Sequence, residues 1–296
     1  MKLINDLVEK TKKEKEEKMK LKEKELNLAL KYAIKDENIE SVKQIINAGA
    51  NVNNVYPAGR TALIYAIDNN NIEIVKILIE SGADVNLKAK DIRLLYMAAD
   101  NHTTDFTPLM CACAYGYKEI IITLIEAGAN INDVNELGWS TLILACMYAR
   151  KDVVKVLIEA GADVNCRDKT MVSGLMYAVH NINPKVIMAV NAGLRLFKGR
   201  EAVEIGYYKD IADILINAGA NVNFQCEYGT TALHTAVVVM QFNDDEVIKT
   251  AKEVITLLVN AGADPYIEDY YGHNVFDYFK NVEGMVDVTK DILIKS

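Results

Sequence analysis

Ile158-Glu-Ala-Gly-Ala-Asp-Val-Asn165 sets the reading of this chain, because the chain keeps returning to it. INAGANVN spans Ile46–Asn53, and IESGADVN spans Ile79–Asn86. IEAGANIN spans Ile125–Asn132, and INAGANVN recurs at Ile216–Asn223. VNAGADPY, Val259–Tyr266, is an altered last copy. A stretch repeated this often is a structural period rather than one active site. Its Gly suits the left-handed position just past a helix C-terminus, which a Cβ disfavours. Its Asp or Asn (Asn51, Asp84, Asn130, Asp163, Asn221, Asp264) suits the start of a turn.

Upstream of these copies lies a second recurring segment. LALKYAI (Leu28–Ile34) and TALIYAI (Thr61–Ile67) align without a gap. TPLMCAC (Thr107–Cys113), STLILAC (Ser140–Cys146), SGLMYAV (Ser173–Val179) and TALHTAV (Thr231–Val237) follow. From the second copy on, each begins with Ser or Thr, whose hydroxyl caps helices. A run rich in Ile, Val and Leu then leads to the glycine and reads as a second helix. The glycines stand at 49, 82, 128, 161, 193, 219 and 262, with gaps of 33, 46, 33, 32, 26 and 43.

Two helices and a turn at a base period of 33 are the ankyrin signature. The chain resembles the ankyrin repeat family over nearly all of residues 25–294. Thr231-Ala-Leu-His-Thr-Ala236 matches the family's T-P-L-H-x-A motif most closely. Elsewhere the His is replaced by Lys31, Ile64, Met110, Ile143 or Met176, so the Thr–His hydrogen-bond layer is absent from most repeats. The resemblance implies an all-α solenoid of antiparallel helix pairs joined by β-hairpin-like turns, about eight repeats including caps. The repeats are expected near 25–53, 56–86, 104–132, 135–165, 168–194, 198–223, 226–266 and 269–294. The interval after Asn86 holds thirteen extra residues, in which Arg93–Ala99 could add a helical turn at a hairpin tip. Gly193–Gly219 is short, which predicts a shortened first helix over 199–206 and a lost β-turn. Gln241–Lys249 is expected to lengthen a connection by ten residues.

Residues 1–24 read as a charged helix leading into the array. Leu3, Ile4, Leu7 and Val8 follow helical spacing, and pairs such as Glu14–Lys18 and Glu16–Lys20 sit four apart. A coiled coil or a partner-binding arm is the alternative to a solvated helix; only Met19, Leu21 and Leu26 interrupt the charge from Glu14 to Leu26. Peripheral membrane attachment is weakened by the near balance of Lys and Glu.

The 296 residues carry a formal net charge of −8, which argues against nucleic acid as the main partner. Five irregularly spaced cysteines, without a C-x-x-C, indicate neither a zinc ribbon nor a disulfide framework. No secretory signal and no apolar run of membrane-spanning length are read. The expected location is cytoplasmic, with export to a host cell by a signal-free route left open.

A search for chemistry finds little. The four histidines (His102, His180, His234, His273) fall in different repeats. His102 stands near Asp100 and Asp105, where a surface His is more often solvated than a base or a ligand. Cys226 is the better candidate for a reactive thiol, with nothing nearby to lower its pKa. Asn243, Asp244, Asp245 and Glu246 lack the alternating spacing of a calcium loop. No catalytic, metal or cofactor residues are assigned, and the chain is read as no enzyme. The resemblance implies instead a scaffold that binds a partner protein or peptide in its concave groove and at its hairpin tips. The alternative is a regulatory or substrate-recruiting subunit whose enzyme is another chain. The partner-binding residues so implied are Arg60, Phe106, Tyr115, Tyr117, Leu137, Trp139, Met147, Tyr148, Tyr228, Tyr270 and Tyr271, centred on Phe106–Tyr148. Pro57, Asp68, Asn69, Glu136, Lys169, Thr170, His180, Glu227, Thr230 and His273 share those positions. A monomer is expected.

Overall fold

The computed structural model describes residues 2–57, 59–90, 105–182, 205–241 and 244–279. Its helices are α1 (Lys2–Lys35), α2 (Ile39–Asn47), α3 (Ala62–Asp68), α4 (Ile72–Glu80), α5 (Pro108–Tyr115), α6 (Lys118–Glu126), α7 (Thr141–Met147) and α8 (Lys151–Glu159). They continue with α9 (Gly174–His180), α10 (Ile205–Asn217), α11 (Ala232–Val239), α12 (Asp245–Asn260) and α13 (Val275–Phe279). Two short strands, β1 (Ala89–Lys90) and β2 (Asp105–Phe106), pair antiparallel with Ala89 opposite Phe106.

The helices pair as α1/α2, α3/α4, α5/α6, α7/α8, α9/α10 and α11/α12. First members stack in one row, α1-α3-α5-α7-α9-α11-α13, and second members in another, α2-α4-α6-α8-α10-α12. The core is continuous between the rows. Every residue of α5 is buried, because α3, α7 and α6 all pack on it. Burying an Ile- or Leu-sized side chain contributes about 1.5–3 kcal/mol, so the row of first helices is the stabilising spine. Second helices bury one stripe; on α4 it is Ile74, Val75 and Leu78, at helical spacing.

The Ser and Thr hydroxyls cap first helices as expected. Thr61, Thr107, Ser140, Ser173 and Thr231 each accept from the backbone N–H three residues on. The last carbonyls of the first helices are met by side chains from the next unit. Asn69 Nδ2 donates to Ile34 O at 2.9 Å, and Arg150 Nε to Ala114 O at 3.1 Å. Met147 O accepts from Asn181 Nδ2 at 3.0 Å and from the Tyr208 hydroxyl at 3.1 Å. This stitches each orphan helix terminus to its neighbour.

Three expectations change. The charged helix and the first repeat helix are one element: α1 runs unbroken through the expected boundary at 24/25. Across the segments expected as the repeats 168–194 and 198–223, α9 packs directly on α10 among the described residues. Asn165 confirms the pairing by bonding to Gly219 and Asn221. The residues between those helices, 183–204, lie outside the described residues, as does Arg93–Ala99. Third, most of the ten residues expected to lengthen a connection before α12 lengthen the helix. α12 has 16 residues where α4, α6 and α8 have 9. Asp244 caps it through Glu246 N and Val247 N. The buried Val247, Ala251, Val254, Ile255 and Leu258 hold the added turns on the core.

Candidate partner-binding surface

Each AGA-Asx-x-Asn turn joins two units. The first Asx accepts through its side-chain oxygen from the N–H two residues on, Asn51 Oδ1 from Asn53 N and Asp84 Oδ1 from Asn86 N. The Asn at the end of the turn works across units. Asn132 Nδ2 donates to Gly161 O at 3.2 Å, while its Oδ1 accepts from Asp163 N at 2.9 Å. Asn53, Asn86, Asn165 and Asn223 repeat the pattern toward Gly82, Gly128, Gly219 and Gly262. The first position only accepts, so Asp and Asn both serve. The last must donate and accept with one side chain, which Asp cannot do. Sequence reasoning missed this role, although the signal was visible: the first position varies and the last is Asn in five copies. Asn27 of α1 opens the ladder by accepting from Asn51 N, and Tyr266 stands where the sixth Asn would be.

The hairpin tips form a parallel track. Each closes with a backbone bond across four residues: Tyr56 N to Arg60 O, Asn135 N to Trp139 O, Asp168 N to Val172 O, Cys226 N to Thr230 O, and Asp269 N to His273 O. Successive tips then bond to each other. Lys169 N donates to Leu137 O, Glu227 N to Thr170 O, and Tyr270 N to Tyr228 O. This approach leaves no room for side chains at Gly138 and Gly229. A Cβ there would lie 2.7 Å from Lys169 N and 2.7 Å from Tyr270 N, and both glycines have positive φ. Met171 holds the same left-handed position at φ 65°, without glycine's freedom.

The structure divides the expected binding residues. Arg60, Phe106, Tyr115, Trp139, Met147 and Tyr148 are buried. Tyr117 and Leu137 are half-buried and pack against the core. This corrects the aromatic groove expected over Phe106–Tyr148, because those side chains hold repeats together. Phe106 is enclosed as part of β2. Arg60 pairs with Asp68, whose other oxygen accepts from the Tyr115 hydroxyl at 3.0 Å. Trp139 lies beside Tyr177 of the next unit, whose hydroxyl donates to Asp168 Oδ2 at 2.6 Å. Burial first, then the Asp168 carboxylate, pushes the Tyr177 hydroxyl well above its ordinary range.

Tyr228, Tyr270 and Tyr271 are the exposed members of the set, at 63%, 79% and 73%. Pro57, Glu136, Lys169, Thr170, His180, Glu227 and His273 are also exposed, whereas Asn69, Asp68 and Thr230 are partly covered. The tyrosines sit on two tips locked together. Besides the Tyr270–Tyr228 backbone bond, Gln225 Nε2 bridges Gly229 O and Glu268 O. Asp269 Oδ1 accepts from Tyr271 N and His273 N, and Oδ2 from the Tyr278 hydroxyl. Burial would raise the Asp269 carboxyl, but these bonds outweigh it and hold it below its ordinary range. The Tyr278 hydroxyl is pushed up to about 12, by burial and then by Asp269. Beneath lies His234. Its Nδ1 accepts from Thr231 N, and its Nε2 faces His273 O at 3.3 Å.

Among the described residues no group of three or more His, Cys, Asp or Glu is placed to hold a metal ion. Cys111, Cys113 and Cys146 are buried on first helices, and burial drives the Cys113 and Cys146 thiols far up. Cys226 contacts Thr230 Oγ1 at 3.0 Å. No described helix is long and apolar enough to cross a membrane.

Known proteins carry the same architecture. The ankyrin repeat domain of Bcl-3, a member of the IkappaB protein family, is 22% identical with a TM-score of 0.62, over 84% of this chain and 92% of that one. An ankyrin repeat domain from Acinetobacter baumannii AYE is 28% identical with a TM-score of 0.59, over 79% of this chain and 97% of that one. The human ASB11 ankyrin repeat domain is 21% identical with a TM-score of 0.62, over 90% of this chain and 97% of that one. No curated protein matches in sequence. A model of three ankyrin repeats matches residues 2–89 and 90–168, and a single-repeat model matches 228–270. With its helix pairs, turn ladder and tip track, the chain belongs to the ankyrin repeat family.

Proposed function

We propose that this chain is a non-enzymatic scaffold that holds a partner protein at its hairpin tips, with Tyr228, Tyr270 and Tyr271 as the main contact. Ankyrin repeat domains are generally protein-interaction modules. The observation that carries the placement is the exposure of three tyrosines on two tips that hydrogen bonds fix in place. Rigid aromatic side chains give large contact area at small entropic cost, and they dominate interface hot spots. Leaving them in water has no structural explanation, since none of the three supports the core. The test compares the proteins that co-purify with the full chain and with a Tyr228→Ala/Tyr270→Ala/Tyr271→Ala variant of equal thermal stability. Loss of a defined subset is expected. An unchanged set would remove the tips from the function.

A further inference from the structure

We propose that the Tyr228–Tyr270–Tyr271 patch takes an extended, positively charged segment of its partner protein, with Arg or Lys side chains over the tyrosine rings and beside the Glu227 and Glu268 carboxylates. This rests on the scaffold reading above and adds the chemistry of what is held.

Charge singles out these two tips. The stretches Gln225–Thr231 and Asp264–Tyr278 hold five carboxylates (Glu227, Asp264, Glu268, Asp269, Asp277) and no Lys or Arg. Other tips carry their own cations. Arg167 and Lys169 flank Asp168, Arg60 closes the tip at Tyr56, and Lys88 Nζ pairs with Asp133 at 2.9 Å. Asp269 is committed to the Tyr278 hydroxyl and two backbone N–H groups, so it stiffens the tip. Glu227, Glu268 and Asp264 are exposed and face solvent.

The chain shows what its aromatic rings do when a cation is within reach. Tyr56 and Tyr65, at the other end, are buried and paired edge to face at 5.6 Å. Lys31 lies over both, and Lys35 and Arg60 also lie over Tyr65, all within 5.8 Å. Arg167 stacks on Phe224 at 4.4 Å. Tyr270 and Tyr271 form a comparable edge-to-face pair at 5.5 Å, with Tyr228 close by. Among the described residues no Lys or Arg lies over any of these three rings. The quadrupole of each ring and the carboxylates beside it attract a cation. The geometry favours an extended segment, because Leu137, Thr170, Tyr228 and Tyr271 occupy the same place on successive hydrogen-bonded tips. That is a track with no enclosed pocket, suited to a chain laid along it.

The probe is a random short-peptide library displayed on phage, selected on the full chain and counter-selected on the triple alanine variant. Enriched peptides should carry a net positive charge, bind the wild-type chain, and lose affinity as salt is raised. A Glu227→Gln/Glu268→Gln variant should bind them on the order of tenfold more weakly at low salt and show a flatter salt dependence. Enrichment of acidic or uncharged peptides, or no effect of the Glu variant, would overturn the charge chemistry and leave the patch as a binding surface. If no peptide distinguishes the two chains, the proposal and the reading it rests on fall together.

Discussion

Trp139 and His273 occupy the same place in the repeat, four residues after the Asn135 or Asp269 that closes the tip. Trp139 is 6% exposed, whereas the His273 side chain is 57% exposed. The positions before them differ alike: Leu137 is half-buried and Tyr271 stands in water. The cause is the neighbour. Beyond Trp139 comes another unit, whose tip residue Lys169 donates its N–H to Leu137 O and whose Tyr177, on α9, lies beside Trp139. Beyond Gly272, a Cβ would meet nothing within 4 Å. In a stacked array, exposure therefore belongs to a pair of units, and a single repeat does not define it.

Substitution can break or sharpen this contrast. Trp139→Ala should cost the most, about 3–5 kcal/mol, because it empties a buried site between two units; denaturant melts against the wild-type chain measure it. Gly229→Ala should cost roughly 2–3 kcal/mol, combining left-handed strain with the forced separation of Tyr228 O and Tyr270 N. Gly272→Ala carries the strain alone and should cost about half as much. Equal losses at the two glycines would deny the close approach of the tips.

A pH response is expected at the C-terminal end. Burial of His234 lowers its pKa from the ordinary 6.5, outweighing the bond to His273 O, which raises it. The folded state then binds a proton less readily than the unfolded one. Its stabilising effect is complete above pH 6.5 and is lost as pH falls through the depressed folded pKa. Hydrogen exchange over 231–278 should quicken below that pH while 105–160 stays protected, and His234→Gln should flatten the response. Met171→Gly should stabilise by up to about 1 kcal/mol through relief of left-handed strain, visible as a raised denaturant midpoint. The smallest effect belongs to Tyr270→Ala, within about 0.5 kcal/mol in the same melt, as befits an exposed side chain with no core contact.

The repeat itself was legible because its signals are local. A Ser or Thr cap, a run of Ile and Leu and a terminal Gly each specify their own few residues, and Thr61, Thr107, Ser140, Ser173 and Thr231 all cap as read. Spacing alone misled before α12, since an inserted loop and a lengthened helix change the glycine interval equally. The i, i+4, i+7 pattern of Val247, Ala251 and Val254 separates the two and was there to be seen. Pairing of α9 with α10 was not read, because Asn191-Ala-Gly193 repeats the letters that follow the other second helices, as at Asn47-Ala-Gly49 and Asn217-Ala-Gly219. The binding residues were half legible. Aromatic character is written in the sequence, but whether Tyr115 or Tyr271 meets water depends on what packs on it from the adjoining unit.

The bond from Tyr270 N to Tyr228 O gives the proposed site a thermodynamic consequence. It spans the seam between the unit of α11 and α12 and the unit of α13. A ligand resting on Tyr228 and Tyr270 together touches both sides of that seam. It binds only while the seam is closed, so each binding event draws the end unit toward its docked form by mass action. Occupancy of the patch would then be readable far from the ligand, as slower opening of α13 against the spine.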